Sequence, residues 1–164
     1  MHRLVTSMVA VSAIVLSGAS TGAHAQTARD IVGTWTLVSA VAQQGGAGTD
    51  VFGPNPSGTI VFGGDGRYVL AFLRGDLPKF ASNNRASGTP DENKAVVQGS
   101  IAHFGTYTVD EAGKAMVFRI EGSTFPNWTG AEQRRAMTLS GDELKYTSPG
   151  SAGAATQVTM RRAK

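Results

Sequence analysis

Thr59-Ile60-Val61-Phe62-Gly63-Gly64-Asp65-Gly66-Arg67-Tyr68-Val69-Leu70-Ala71-Phe72-Leu73 is the stretch on which the fold reading turns. A β-branched run, Thr59 to Phe62, reads as a strand. Gly63 to Gly66 reads as a tight hairpin, because glycine supplies the positive φ such turns need. Arg67 to Leu73 returns as a second strand, with Tyr68, Leu70 and Phe72 on one face.

The same grammar extends both ways. Upstream, Thr34, Thr36, Val38 and Ala40 alternate with Trp35, Leu37, Ser39 and Val41, a strand from Gly33 to Gln44. Gly45 to Pro56 reads as a loop. Downstream, Phe104–Asp110 and Ala115–Glu121 flank the turn Asp110-Glu111-Ala112-Gly113. Glu132–Leu139 and Glu143–Thr147 flank Ser140-Gly141-Asp142, and Ala155–Arg162 closes the chain. Arg74 to Gly88 is polar and irregular. Thr89-Pro90-Asp91-Glu92 has the form of a capping box, which predicts one helix from Pro90 to about Ile101, with Ala95, Val97 and Ile101 packed on the domain. The pattern predicts an all-β fold: eight strands, mostly joined by hairpins, with one short inserted helix. Eight up-and-down strands remove their edges by closing into a small barrel. A β-sandwich is the alternative, though it wants longer cross-sheet connections.

Composition narrows the function. The chain has 164 residues, 41% hydrophobic and 16% charged, with 21 glycines. This suits one globular domain. Residues 1–25 read as a secretory signal peptide: a basic start at Arg3, an apolar core from Leu4 to Leu16, and the A-x-A site Ala23-His24-Ala25. Residues 26–164 then form the barrel domain. The expected location is exported, periplasmic or extracellular, with no lipid anchor and no membrane-spanning segment. Lys+Arg total 15 against 12 Asp+Glu, with no long basic run, so nucleic acid is not an expected partner. Zero cysteines exclude disulfides and thiol chemistry, and His103 is the one histidine beyond the leader. No metal or cofactor is expected. P-loop, G-x-G-x-x-G and G-x-S-x-G motifs are lacking.

Several short motifs occur in order: Gly33-Thr34-Trp35, Phe104-Gly105-Thr106-Tyr107-Thr108-Val109, Phe125-Pro126-Asn127-Trp128-Thr129-Gly130, Gln133 with Arg135, and Leu139-Ser140-Gly141-Asp142-Glu143-Leu144. Together they resemble the bacterial and fungal lipocalin-like domain family, from about Ile31 to Arg162. The resemblance implies a lipocalin-like barrel and ligand binding. It also implies a late arginine stacked on the G-x-W tryptophan; phase with Val158 and Met160 makes Arg162 the expected partner of Trp35. The family pattern often has a histidine in the strand before the P-N-W loop. This chain has Phe118-Arg119-Ile120 there, so no imidazole role carries over.

The outside of a barrel in water is wet, so the apolar alternates should face in. These are Trp35, Ile60, Phe62, Tyr68, Leu70, Phe72, Tyr107, Val109, Phe118, Ile120, Met137, Leu139, Leu144, Tyr146, Val158 and Met160. They either line a pocket or fill the barrel. Arg135 shares the inward phase of Met137 and Leu139, and Arg74 that of Leu70 and Phe72. A guanidinium among apolar walls needs a carboxylate, a ring face or water. Trp128 reads as a rim residue or as a cap on the core. The ligand-binding candidates are Arg135, Arg74, Tyr68, Phe72, Tyr107, Phe118, Met137 and Trp128. The ligand expected is small, largely apolar or amphipathic, with an acidic group for Arg135 as the sharper version. No residue is assigned as catalytic. The alternatives are a barrel isomerase, cyclase or hydrolase using His103 or a buried Tyr as acid/base, and a filled barrel acting through its surface.

Overall fold

A computed structural model describes residues 27–44, 47–110 and 114–164. The signal-peptide reading lies outside these residues. The strands are β1 (Gly33–Gln44), β2 (Ala47–Asp50), β3 (Ser57–Phe62), β4 (Arg67–Leu73), β5 (Ser100–Asp110), β6 (Ala115–Ser123), β7 (Glu132–Ser140), β8 (Glu143–Ser148) and β9 (Thr156–Arg162). The helices are α1 (Ala28–Ile31) and α2 (Pro90–Gln98). No helix among the described residues is long and apolar enough to cross a membrane.

Eight strands close the predicted barrel. Neighbours pair antiparallel from β3 to β9, and β1 joins both β3 and β9. The ninth strand, β2, corrects the loop expected over Gly45–Pro56: Ala47–Asp50 folds back on the far end of β1, outside the ring. All four of its residues are exposed, so the apolar pattern carried no sign of it. The hairpin turn is as expected, with Gly66 at φ +82°.

β1 does not alternate evenly. A bulge between Leu37 and Ser39 shifts its register against β9. Trp35 and Leu37 face in, then Ala40, while Val38 is 44% exposed. One extra residue flips every side chain beyond it.

α2 has its capping box. Thr89 Oγ1 accepts from the Glu92 amide, and the Glu92 carboxylate accepts from the Thr89 amide at 2.8 Å. The helix ends at Gln98 rather than near Ile101, because Ser100 already belongs to β5. Val97 does not pack on the domain and is 77% exposed. The helix buries no side chain and serves as a connection over the outside.

The predicted inward residues are buried, with Val109 and Leu139 partly so. The base of the barrel is solid. Ile31 from α1 plugs it, and Trp35, Ile60, Phe62, Met116, Phe118, Leu144 and Met160 fill the level above. Arg162 closes it. Its Cζ lies 4.2 Å from the Trp35 ring centroid, and its Nη1 and Nη2 donate to the carbonyls of Val32 (2.9 Å) and Asp30 (2.6 Å). Trp35 Nε1 donates to the Ile31 carbonyl at 2.8 Å.

The wall is uneven at one seam. β7 pairs with β8 only from Met137↔Tyr146 to Ser140↔Glu143. Residues 132–136 pair only with β6, on the other edge of β7, and Thr147 and Ser148 pair only with β9. Between these splayed halves lies an outer cleft of about 490 Å³, lined by Gln133, Arg134, Ala136, Thr147, Ser148 and Pro149 among others.

Candidate ligand-binding site

The end opposite Trp35 differs in character. Here Phe52, Phe72, Ile101, Trp128, Tyr146, Ser148 and Val158 surround a narrow cleft, with His103 and Arg135 in its wall. Its free volume is about 40 Å³. That holds little more than one water. The choice between a lined and a filled barrel therefore resolves by level: filled at the base, narrowly open at the mouth.

Arg135 is 1% exposed. β7 alternates regularly here, so Gln133, Arg135 and Met137 all turn inward as the phase predicts. Its Nε and Nη2 donate to Gln133 Oε1 at 3.2 and 2.6 Å. Its Cζ stands 4.4 Å from the Phe118 ring centroid, 5.6 Å from Tyr146 and 5.9 Å from Trp128. No ion pair joins it to a carboxylate among the described residues. Burial pulls its proton affinity below the ordinary arginine value, and the Tyr146 and Tyr68 hydroxyls pull the other way. An arginine stays charged regardless. Aromatic faces, the Gln133 amide oxygen, a ring nitrogen of His103 and the Tyr146 oxygen thus hold a full positive charge, a costly arrangement without an anion.

His103 is the residue that sequence reasoning misplaced. The strand was expected to begin at Phe104, which leaves His103 at a junction. β5 begins at Ser100, and His103 faces inward while Phe104 is 52% exposed. Its Nδ1 is 2.8 Å from Tyr68 Oη, and its Nε2 is 3.4 Å from Arg135 Nη2. Arginine only donates, so Nε2 accepts. The neutral ring then carries its proton on Nδ1 and donates it to Tyr68. Burial first, and the Arg135 charge second, push His103 down to about 3, so the ring is neutral across the physiological range. Burial likewise raises Tyr68 well above the usual phenol value and Tyr146 to about 12. Tyr146 Oη is buried beside the Arg135 guanidinium, and no partner among the described residues meets its hydroxyl with good hydrogen-bond geometry.

The other candidates separate. Phe72 and Trp128 line the cleft with Arg135. Trp128 sits on the short turn Pro126–Trp128 and meets His103 edge-on, with centroids 5.7 Å apart, which favours the rim reading. Tyr68 and Phe118 form the level beneath, with centroids 4.7 Å apart. Met137 lies in the packed core. Tyr107 belongs to the base, where its hydroxyl donates to the Gly63 carbonyl at 2.9 Å and pins the hairpin turn. Arg74 does not face inward. It lies past the end of β4, on the surface, in a two-pronged pair with Asp76 at 2.8 Å. The strand phase does not extend beyond Leu73, and the adjacent carboxylate draws the guanidinium outward. Gln133 and Tyr146 complete the cluster. Their inward phase was visible, but nothing in their identity marked them as partners of Arg135.

The chain is similar to known proteins. The 4'-hydroxy-3'-methoxypropiophenone carrier protein of Aspergillus oryzae is 26% identical over 82 residues, which cover 46% of this chain and 74% of that protein. Among solved structures, a redesigned β-barrel aligns at a TM-score of 0.46 with 16% identity, covering 86% of this chain and 98% of its own. The family model for the lipocalin-like domain matches residues 32–163, from just before β1 to just after β9. The chain belongs to the lipocalin-like domain family.

Proposed function

We propose that this protein is exported and binds a small, largely apolar molecule with an acidic group at the mouth of its barrel. The observation that carries this reading is Arg135: a buried cation with no ion pair among the described residues, set at the floor of an aromatic cleft. An anion from outside would supply the missing counter-charge, and Phe52, Phe72 and Trp128 would cover the apolar part. The similarity to a carrier of an aromatic ketone supports a small aromatic ligand. The present cleft is far below the roughly 300–1,000 Å³ of drug-sized pockets. A ligand therefore enters by displacing the side chains at the mouth, and the solid base stays as it is.

The enzyme reading draws less support. His103 does reach the interior beside a tyrosine, but its neighbour is a cation rather than a carboxylate, and its depressed proton affinity makes it a poor base. Isothermal titration with 4-hydroxy-3-methoxybenzoate and with 4'-hydroxy-3'-methoxypropiophenone tests the proposal. Saturable one-site binding that is lost in Arg135→Met is expected. Failure of both compounds to bind, or equal binding to the variant, would overturn it.

A further inference from the structure

We propose that Tyr146 and Arg135 form a two-point clamp for a carboxylate, with Tyr146 as the residue that selects a carboxylate over a neutral group. The inference rests on the site reading above and adds a chemical class and a second contact. Tyr146 is 2% exposed and lines the cleft; its oxygen faces the Arg135 guanidinium, which can only donate, and its own O–H finds no acceptor with hydrogen-bond geometry among the described residues. A buried hydroxyl left unpaired is a standing cost to the fold, which a phenylalanine of the same shape would avoid. Its ring lies 5.6 Å from the Arg135 guanidinium carbon, so hydroxyl and cation share one small volume. The bonds to Gln133 and His103 engage Nε and Nη2. Nη1 makes no hydrogen bond of good geometry among the described residues; Tyr146 is the polar group beside the fork, and a ligand oxygen placed between them would meet both.

The two unspent donors differ in kind, one charged and one neutral. A carboxylate satisfies both, one oxygen on Nη1 and the other on the tyrosine O–H. An amide or ester offers a single acceptor oxygen with no charge, so it meets the clamp once and leaves the cation uncompensated. Gln133 is a positioning residue here: its amide oxygen holds the guanidinium plane, and its own side chain is buried.

The test compares 4-hydroxy-3-methoxybenzoate with its methyl ester on the full-length protein and on Tyr146→Phe, by titration calorimetry and thermal melting. A hydrogen bond to a charged acceptor is worth about a tenfold change or more in affinity. The variant should lose about tenfold for the benzoate and less than about threefold for the ester. Without ligand it should melt higher than the parent, because the orphan hydroxyl is gone; a hydroxyl with a purely structural role would lower the melt instead. Unchanged benzoate affinity in Tyr146→Phe, with binding still lost in Arg135→Met, would overturn the clamp and leave the Arg135 site standing. If the benzoate fails to bind the parent protein while the propiophenone binds, the clamp alone falls; if neither binds, both readings fall.

Discussion

Replacing Arg162 with alanine should unlatch the base of the barrel. Three interactions go at once. The shielded stack on Trp35 is worth about 1 kcal/mol. The two hydrogen bonds to the Val32 and Asp30 carbonyls involve a charged donor, which raises their value, but Arg162 is about a third exposed. Discounted for solvent, they contribute about 1 kcal/mol each. The 3.7 Å approach to the exposed Asp142 adds little. The total is about 3 kcal/mol, which at roughly 3 °C per kcal/mol for a domain of this size lowers the melting temperature by about 10 °C. Arg162→Lys should fall between, since one ammonium keeps the charge but cannot serve both carbonyls and the ring face. Differential scanning calorimetry gives the shift, and the near-ultraviolet circular dichroism band of buried Trp35 reports the local change. An Arg162→Ala melt within about 2 °C of the parent would show that α1 and the packing around Trp35 close the base unaided.

Arg135→Met should leave stability near that of the parent, because removing a buried unpaired charge offsets the orphaning of the Gln133 amide oxygen. Arg135→Met with Gln133→Leu should then be more stable by about 1–3 kcal/mol in urea titrations. His103 should make the fold acid-sensitive. The unfolded ring takes up a proton below its ordinary 6.5, whereas the folded ring stays neutral down to about 3. Stability from this source is whole above pH 6.5 and declines as the pH falls toward 3, by about 2 kcal/mol between pH 6.5 and 5. His103→Gln should flatten the urea midpoint over that interval, and an equal slope in both proteins would refute the assignment.

The fold could be read because its signals are local. Four consecutive turn residues at Gly63–Gly66 fix a hairpin, and Thr89 to Glu92 fix a helix start, without knowledge of any distant part. The bulge at Val38 could not be read, since it exists only in the register of β1 against β9, at the far end of the chain. The pairing of β2 escaped for the opposite reason: an exposed strand has no face to bury and therefore no period. In the site, the inward turn of Arg135 followed from alternation through Met137 and Leu139. The same rule misplaced Arg74, because a strand phase means nothing once the strand has ended. His103 was lost through one boundary set a few residues late. That Gln133 and Tyr146 meet Arg135 is a product of barrel closure, which adjacency in sequence does not encode.

The splayed seam between β7 and β8 bears on the cost of the buried charge. Gln133 and Ser148 stand on both sides of it, one bonded to Arg135 and the other in the wall of the cleft. Where a sheet lacks its cross-links, its strands breathe apart for little energy, and amides at 132–136 and 147–148 should exchange with deuterium sooner than those of β4 and β5. Each such excursion would let solvent dipoles reorient near the guanidinium. Faster exchange there would mean that the guanidinium samples a more polarisable medium than its static burial implies.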